Sequence, residues 1–210
     1  MKLKTYFLFF IFLTTLSCST PRYILTNQGQ SIGVDFTRGK WLLNELDCQI
    51  DCKEKLTLET FEFFKKNLND SLFYMKNTKG LLVPKKIPLN PNQTKLKELK
   101  EGTGFDYFIN ISTKRNKNEM NSIELYQTDN EVAINQSEVT LEIYDLNSKL
   151  IIYSQRVVGS TSKEKNISVW QTPKSDKLID NINFYKSTNG LMLGSLKKIL
   201  KDLKKKSIKN

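Results

Sequence analysis

Glu101-Gly102-Thr103-Gly104-Phe105-Asp106-Tyr107-Phe108-Ile109-Asn110-Ile111 is the stretch on which the fold turns. Ahead of it, Leu96 and Leu99 give Gln93 to Lys100 one apolar side, and Gly102 supplies the residue type that ends helices. Beyond the glycines, Phe105, Tyr107, Ile109 and Ile111 recur at every second position, the period of a strand. The same few residues therefore close a helix and open a strand.

Working downstream, Val139, Leu141 and Ile143 alternate, Asn147-Ser148 turns the chain, and Leu150 to Val158 returns as the second arm of a hairpin. Short strands are expected at Ile123 to Tyr126 and Val132 to Ile134, around Thr128-Asp129-Asn130. After Gly159 the chain turns polar. From about Phe184 a long terminal helix is expected, with Met192, Leu196, Ile199, Leu200 and Leu203 on one stripe and Lys197, Lys201, Lys204 and Lys205 opposite. Gly194 inside it reads as a place of close approach to the sheet, because glycine weakens a helix by up to ~1 kcal/mol relative to alanine.

Working upstream, Trp41 to Leu46 carries apolar residues on both faces, as an inner strand does. Thr57 is the expected N-cap of a helix burying Phe61, Phe64 and Leu68, and Leu72 to Met75 follows as a short strand. Pro84, Pro88 and Pro91 make Leu81 to Asn90 irregular. The order strand, helix, short strand, helix, strand, hairpin, helix predicts an α/β (α+β) fold, a two-layer sandwich of a mixed sheet and helices with the long C-terminal helix packed on the sheet.

The first residues read as an export signal: Lys2 and Lys4, the apolar run Tyr6 to Leu13, then Thr15-Leu16-Ser17-Cys18. The run is far short of the ~20 apolar residues that span a bilayer. The expected organisation is a lipoprotein signal over 1–17, a tether over 18–39, one globular domain over 40–206, and a basic tail over 207–210. Thr15-Leu16-Ser17-Cys18 resembles a bacterial lipobox, which implies a lipid (diacylglycerol and palmitate) on Cys18. Ser19 after the cysteine implies the outer membrane, with the protein facing the periplasm.

Cys48 and Cys52 then remain as an even pair in an oxidising compartment, read as a local disulfide on the turn between first strand and first helix. A metal reading of the same pair lacks ligands, since the chain has no histidine and no second cysteine pair. No metal and no cofactor are expected.

The net charge of +11, with a pI of about 9.4, raises the question of nucleic acid. Much of it sits at the end, where Lys197 to Asn210 holds seven lysines against Asp202. Only Arg22, Arg38, Arg115 and Arg156 among the 33 basic residues are arginines, whereas base and phosphate recognition favours the forked guanidinium. No nucleic acid partner is expected. The terminal lysines read as a solvated helix face, with contact to an acidic surface as the competing reading.

The order of elements, with Glu101 to Ile109, Leu141-Glu142-Ile143-Tyr144-Asp145 and Tyr153-Ser154, resembles a type of Gram-negative envelope lipoprotein. That type includes the activator lipoproteins of penicillin-binding proteins, the curli secretion lipoprotein and the amino-terminal domain of the Tol-system propeller protein. In it a helix ends at a glycine turn before a strand resembling T-G-A-D-Y, and Phe105 here stands where the small residue is usual. The likeness covers roughly Lys40 to Lys205 and implies the fold; no functional residue is carried over.

Catalysis finds little support. Without histidine, Ser-His-Asp and Cys-His schemes are excluded. Ser160-Thr161-Ser162-Lys163 matches S-x-x-K, but it follows a strand and lacks K-T-G or S-D-N partners. Gly102-Thr103-Gly104 precedes a strand, so it has no helix N-terminus with which to hold phosphate. The chain therefore reads as a lipid-anchored accessory module that binds an envelope protein complex or cell-wall machinery, and not as an enzyme. The alternative is a subunit of a curli-type secretion pore, for which alternation over Ile123 to Ile134 is broken at Gln127 to Glu131.

Overall fold

The computed structural model describes residues 20–26, 33–82, 84, 87–120, 123–124, 133–163 and 183–208. The signal, Cys18 and the expected turn at 128–130 lie outside the described residues.

The central strand, β4 (Tyr107–Asn118), starts two residues later than its alternation suggests. Gly104 caps the preceding helix in the left-handed region at φ 72°, and its N–H donates to Lys100 O at 2.8 Å. Phe105 and Asp106 make the turn. From Tyr107 on, Ile109 and Ile111 face one side, and Phe108 and Asn110 the other.

Around β4 the order in the sheet is β1 (Arg22–Leu25), β7 (Leu150–Lys163), β6 (Ala133–Asp145), β4, β2 (Trp41–Leu43) and β3 (Leu72–Tyr74). β2 runs parallel to both β3 and β4, whereas β4, β6, β7 and β1 pair antiparallel. A separate two-residue pair joins β5 (Ile123–Glu124) to β8 (Asn183–Phe184). The β6–β7 hairpin forms as expected, with one register shift at Ile143/Tyr144.

Two helices, α1 (Ile50–Leu68) and α3 (Thr188–Lys206), cover one face of the sheet. Leu43, Ile109, Ile111, Val139, Leu141 and Ile143 meet Leu56, Phe64, Met192, Leu196, Ile199 and Leu203 there, all buried. Each such side chain contributes roughly 1.5–3 kcal/mol by leaving water. The reverse face carries a smaller cluster, in which Leu42, Phe108 and Tyr144 pack under Leu96 and Leu99 of α2 (Gln93–Thr103). Ile87, from the proline-rich connection, completes that cover. The result is the α+β two-layer architecture with a mixed sheet and a C-terminal helix on it.

Several boundaries differ from expectation. α1 begins at Ile50, so Thr57 is an interior residue and not a cap; the cysteine-bearing turn already enters the helix. Its buried stripe is Cys52, Leu56, Thr60, Phe64 and Leu68, and Phe61 lies beside it, half-buried. α2 runs past Gly102 to Thr103. Gly102 is kept small by Leu82 O, which would sit 2.2 Å from an added Cβ, and Leu82 N donates to Gly102 O.

The expected tether is in large part drawn into the domain. Arg22–Leu25 is an edge strand on β7, Val34 is fully buried, and Phe36 packs between Trp41 and Phe64. At the other terminus, Ser207 bridges Val34, and Ile208 N donates to Val34 O at 3.0 Å, so the start of the expected tail is pinned. Gly194 is a point of close approach, but the partner is Tyr23 of β1, whose ring and hydroxyl would lie 2.1–2.6 Å from an added Cβ.

Candidate binding groove and its supporting clips

Asp106, in the glycine-turn motif, is a clip. Its carboxylate accepts Lys40 N–H at 3.0 Å, Lys100 Nζ at 2.9 Å and Asn147 Nδ2 at 3.2 Å, joining β2, α2 and the hairpin turn. The Lys40 amide, then the Lys100 ammonium, hold its pKa down at about 2. Next to it Tyr107 stacks on Trp41 with centroids 4.2 Å apart. The motif positions structure and presents no free nucleophile.

A second polar cluster sits on the reverse face. Glu142 is buried and accepts hydrogen bonds from Asn90 N–H at 2.8 Å, the Tyr144 hydroxyl and the Ser154 hydroxyl. Burial, then the Glu142 charge, pushes the Tyr144 phenol far above its ordinary value, so it remains a donor. Asn110 donates from Nδ2 to Ile87 O at 3.2 Å. Both contacts tie the proline-rich connection to the sheet.

Cys48 and Cys52 are free thiols in the structure, half-buried and buried; the disulfide expected between them is not formed in it. Cys52 Sγ turns into the first helical turn, 3.4 Å from Gln49 O and 3.7 Å from Met192 Sδ. Burial, then the neighbouring Cys52, raises the Cys48 thiol to about 11, and burial raises Cys52. Beside them, Arg115 of β4 bonds Asp51 and Asn189, tying the first turns of α1 and α3 together.

The S-x-x-K match lies wholly on β7, where positions three apart fall on opposite faces of a strand. The helical spacing that couples serine to lysine does not exist there.

The surface feature with the makings of a site is a groove of about 530 Å³ between α1 and the β3 edge. Ile50, Leu58, Phe61 and Tyr74 form its apolar lining, and Glu45, Lys53, Glu54 and Lys76 its rim. Ile50 is 93% exposed and Leu58 58%, and the two stand on the same groove. Phe61 and Tyr74 meet edge-on at 6.4 Å. Lys53 pairs with Glu45 at 3.1 Å, and that hydrogen bond raises the ammonium, so it stays charged. Burial, then the Glu45 charge, raises the Tyr74 phenol. β3 is the outermost strand, so its outer backbone groups lie beside the groove.

Sequence reasoning did not single out this groove. Its signal was present: Ile50 and Leu58 are apolar residues of α1 outside its buried stripe, and half-buried Phe61 at the border of that stripe lines the groove with them. Apolar residues gathered on one surface groove, beyond those the core uses, are the kind of patch that marks interaction sites.

Fold and groove together define a class: an α+β domain with a partly apolar surface groove between α1 and the β3 edge. No family model and no curated protein matches the chain. Solved structures similar to it in fold include a bacterial lipoprotein. Lipoprotein GNA1162 from Neisseria meningitidis is 13% identical over 81% of this chain and 100% of that one, with a TM-score of 0.34. A PelC dodecamer from Paraburkholderia phytofirmans is 9% identical over 90% of this chain and 100% of that one, at 0.44. The LpoB C-terminal domain from Salmonella enterica is 15% identical over 64% and 88%, at 0.30.

Proposed function

We propose that the protein is a lipid-anchored accessory module of the bacterial envelope, held through Cys18 in the outer membrane, facing the periplasm, and acting by binding another envelope protein and not by catalysis. The observation that carries the binding role is the α1–β3 groove, where Ile50 and Leu58 stand exposed beside an outermost strand. An apolar stretch of partner chain laid there would cover both residues and could extend the sheet at β3, with Lys53 and Glu45 at hand for its polar ends. The export signal read over residues 1–17 and the lipobox-like Cys18 support a location where such partners are.

Photo-crosslinking in the native host tests this. A crosslinker at Leu58 is expected to trap one envelope protein in high yield, and Ile50→Asp is expected to abolish the product without lowering the melting temperature. If a crosslinker at Leu58 traps nothing that one at exposed Lys79 does not, the groove is not the binding site.

A further inference from the structure

The chain enters the sheet at one end, and the lysine-rich part of α3 lies at the other. β1 runs antiparallel to β7, with Arg22 opposite Ser160, so the residues before Arg22 lead toward the end where β4 finishes and β6 begins. That end also holds the first turns of α1 and α3, through Arg115, Asp51 and Asn189. Tyr23 sits against Gly194, near the start of α3. From that level the helix climbs away, reaching Tyr153 and Asp202 near the opening of β7, and then Val34.

The rise from Gly194 to Lys205 is ~16 Å at 1.5 Å per residue. The three residues from Tyr23 back to Thr20 span at most ~10 Å, continuing from β1 in the other direction. Cys18 is two residues before Thr20, within ~8 Å of it. A lipid on Cys18 would thus be attached on the order of 25 Å from Lys205, several times the ~8 Å over which salt screens a charge.

We propose that the lysine-rich end of α3 is the pole the anchored protein turns away from its membrane, and that it docks an acidic protein face. This rests on the reading of Cys18 as lipidated. Lys197 pairs with Glu59 and Lys206 with Asp202. Lys198, Lys201, Lys204 and Lys205 are exposed and have no acidic partner among the described residues. They stand on a rigid helix three or four residues apart, a spacing of ~5–6 Å that matches carboxylates on another helix or strand. Lysine is a point charge without the guanidinium fork that selects phosphate. Ile208, 53% exposed, adds an apolar contact at the same tip, as suits a folded partner.

The full acylated protein in phosphatidylethanolamine–phosphatidylglycerol vesicles, compared with the same protein in detergent, tests the orientation by lysine footprinting with an N-hydroxysuccinimide ester. Lys114 and Lys117 are expected to be protected several-fold on vesicles, and Lys201, Lys204 and Lys205 to label equally in both. Protection of the latter three on vesicles makes the membrane their occupant and overturns the proposal. Poly-L-glutamate is the probe for the partner. The combined variant Lys201→Gln, Lys204→Gln, Lys205→Gln is expected to bind it at least tenfold more weakly than the control Lys55→Gln, Lys79→Gln, Lys97→Gln, which removes the same charge elsewhere. Equal binding overturns the docking role. Absence of acyl mass on Cys18 removes the anchored reading and with it the orientation, whereas a mass-confirmed lipid with protected terminal lysines defeats the orientation alone.

Discussion

Asp106 concentrates three hydrogen bonds on one carboxylate that is about one-third exposed. Losing them in Asp106→Ala is expected to cost about 1–3 kcal/mol in urea melts near neutral pH. The pH dependence has a definite sign. The folded pKa of about 2 lies below the unfolded carboxylate value of 3.8, so the stabilisation is complete above the unfolded value and is lost as pH falls through the folded one. The stability gap between wild type and Asp106→Asn should therefore shrink between pH 4 and pH 2, and a gap constant over that range would show that the charge is not what holds the clip. Cys48 gives a second titration. In the thiol form its alkylation by iodoacetamide should keep rising about tenfold per pH unit until pH approaches about 11, because the thiolate is the nucleophile. A plateau near the ordinary thiol value would place Cys48 in water and not in the half-buried turn.

At the scale of elements, α3 and β1 are fitted to each other through Gly194 and Tyr23. Gly194→Ala would strengthen an isolated helix by up to ~1 kcal/mol, yet here the added methyl meets the Tyr23 ring and hydroxyl. The expected result is destabilisation of about 1–3 kcal/mol, the usual cost of overpacking. Adding Tyr23→Ala should recover part of that loss, so the double variant should fall short of the sum of the two single ones in denaturant melts. Strict additivity would mean that β1 is not seated on α3. α1 has its own division of labour. Its Cys52, Leu56, Thr60, Phe64 and Leu68 stripe makes the core, and its Ile50, Leu58 and Phe61 line the groove. Leu56→Ala is expected to cost about 2–5 kcal/mol and Leu58→Ala less than about 1, since only the first opens a cavity.

For the whole molecule, Cys18→Ser is expected to move the protein from the membrane to the soluble fraction of the envelope and to abolish the mass of an attached lipid. A variant that still sediments with membranes in carbonate would contradict lipid anchoring. Much of the architecture was legible in the chain. The helix-stop glycines before Tyr107, the Val139–Val158 hairpin and the Met192–Leu203 stripe each carry a local period or breaker, and local signals survive in any context. Thr57 misled because its side chain suits a cap, whereas the helix starts at Ile50, in a first turn where Asp51 meets Arg115 and Asn189, residues distant in sequence. The stretch from Arg22 to Leu25 looked like a tether because an edge strand of four residues has too short a run to show a period.

The sequence by itself determined the absence of histidine, the α+β class and the lysine excess, and it carries the reading of an export signal before Cys18, because these depend only on which residues occur and at what local spacing. Tertiary structure decided that Asp106 is a clip, that Gly194 receives Tyr23, that Ile50 and Leu58 share a groove with Tyr74, and that the start of β1 and the basic end of α3 lie apart. Those are distances between residues remote along the chain, fixed by how β1 and β7 pair and how α1 and α3 pack, and no local period encodes them.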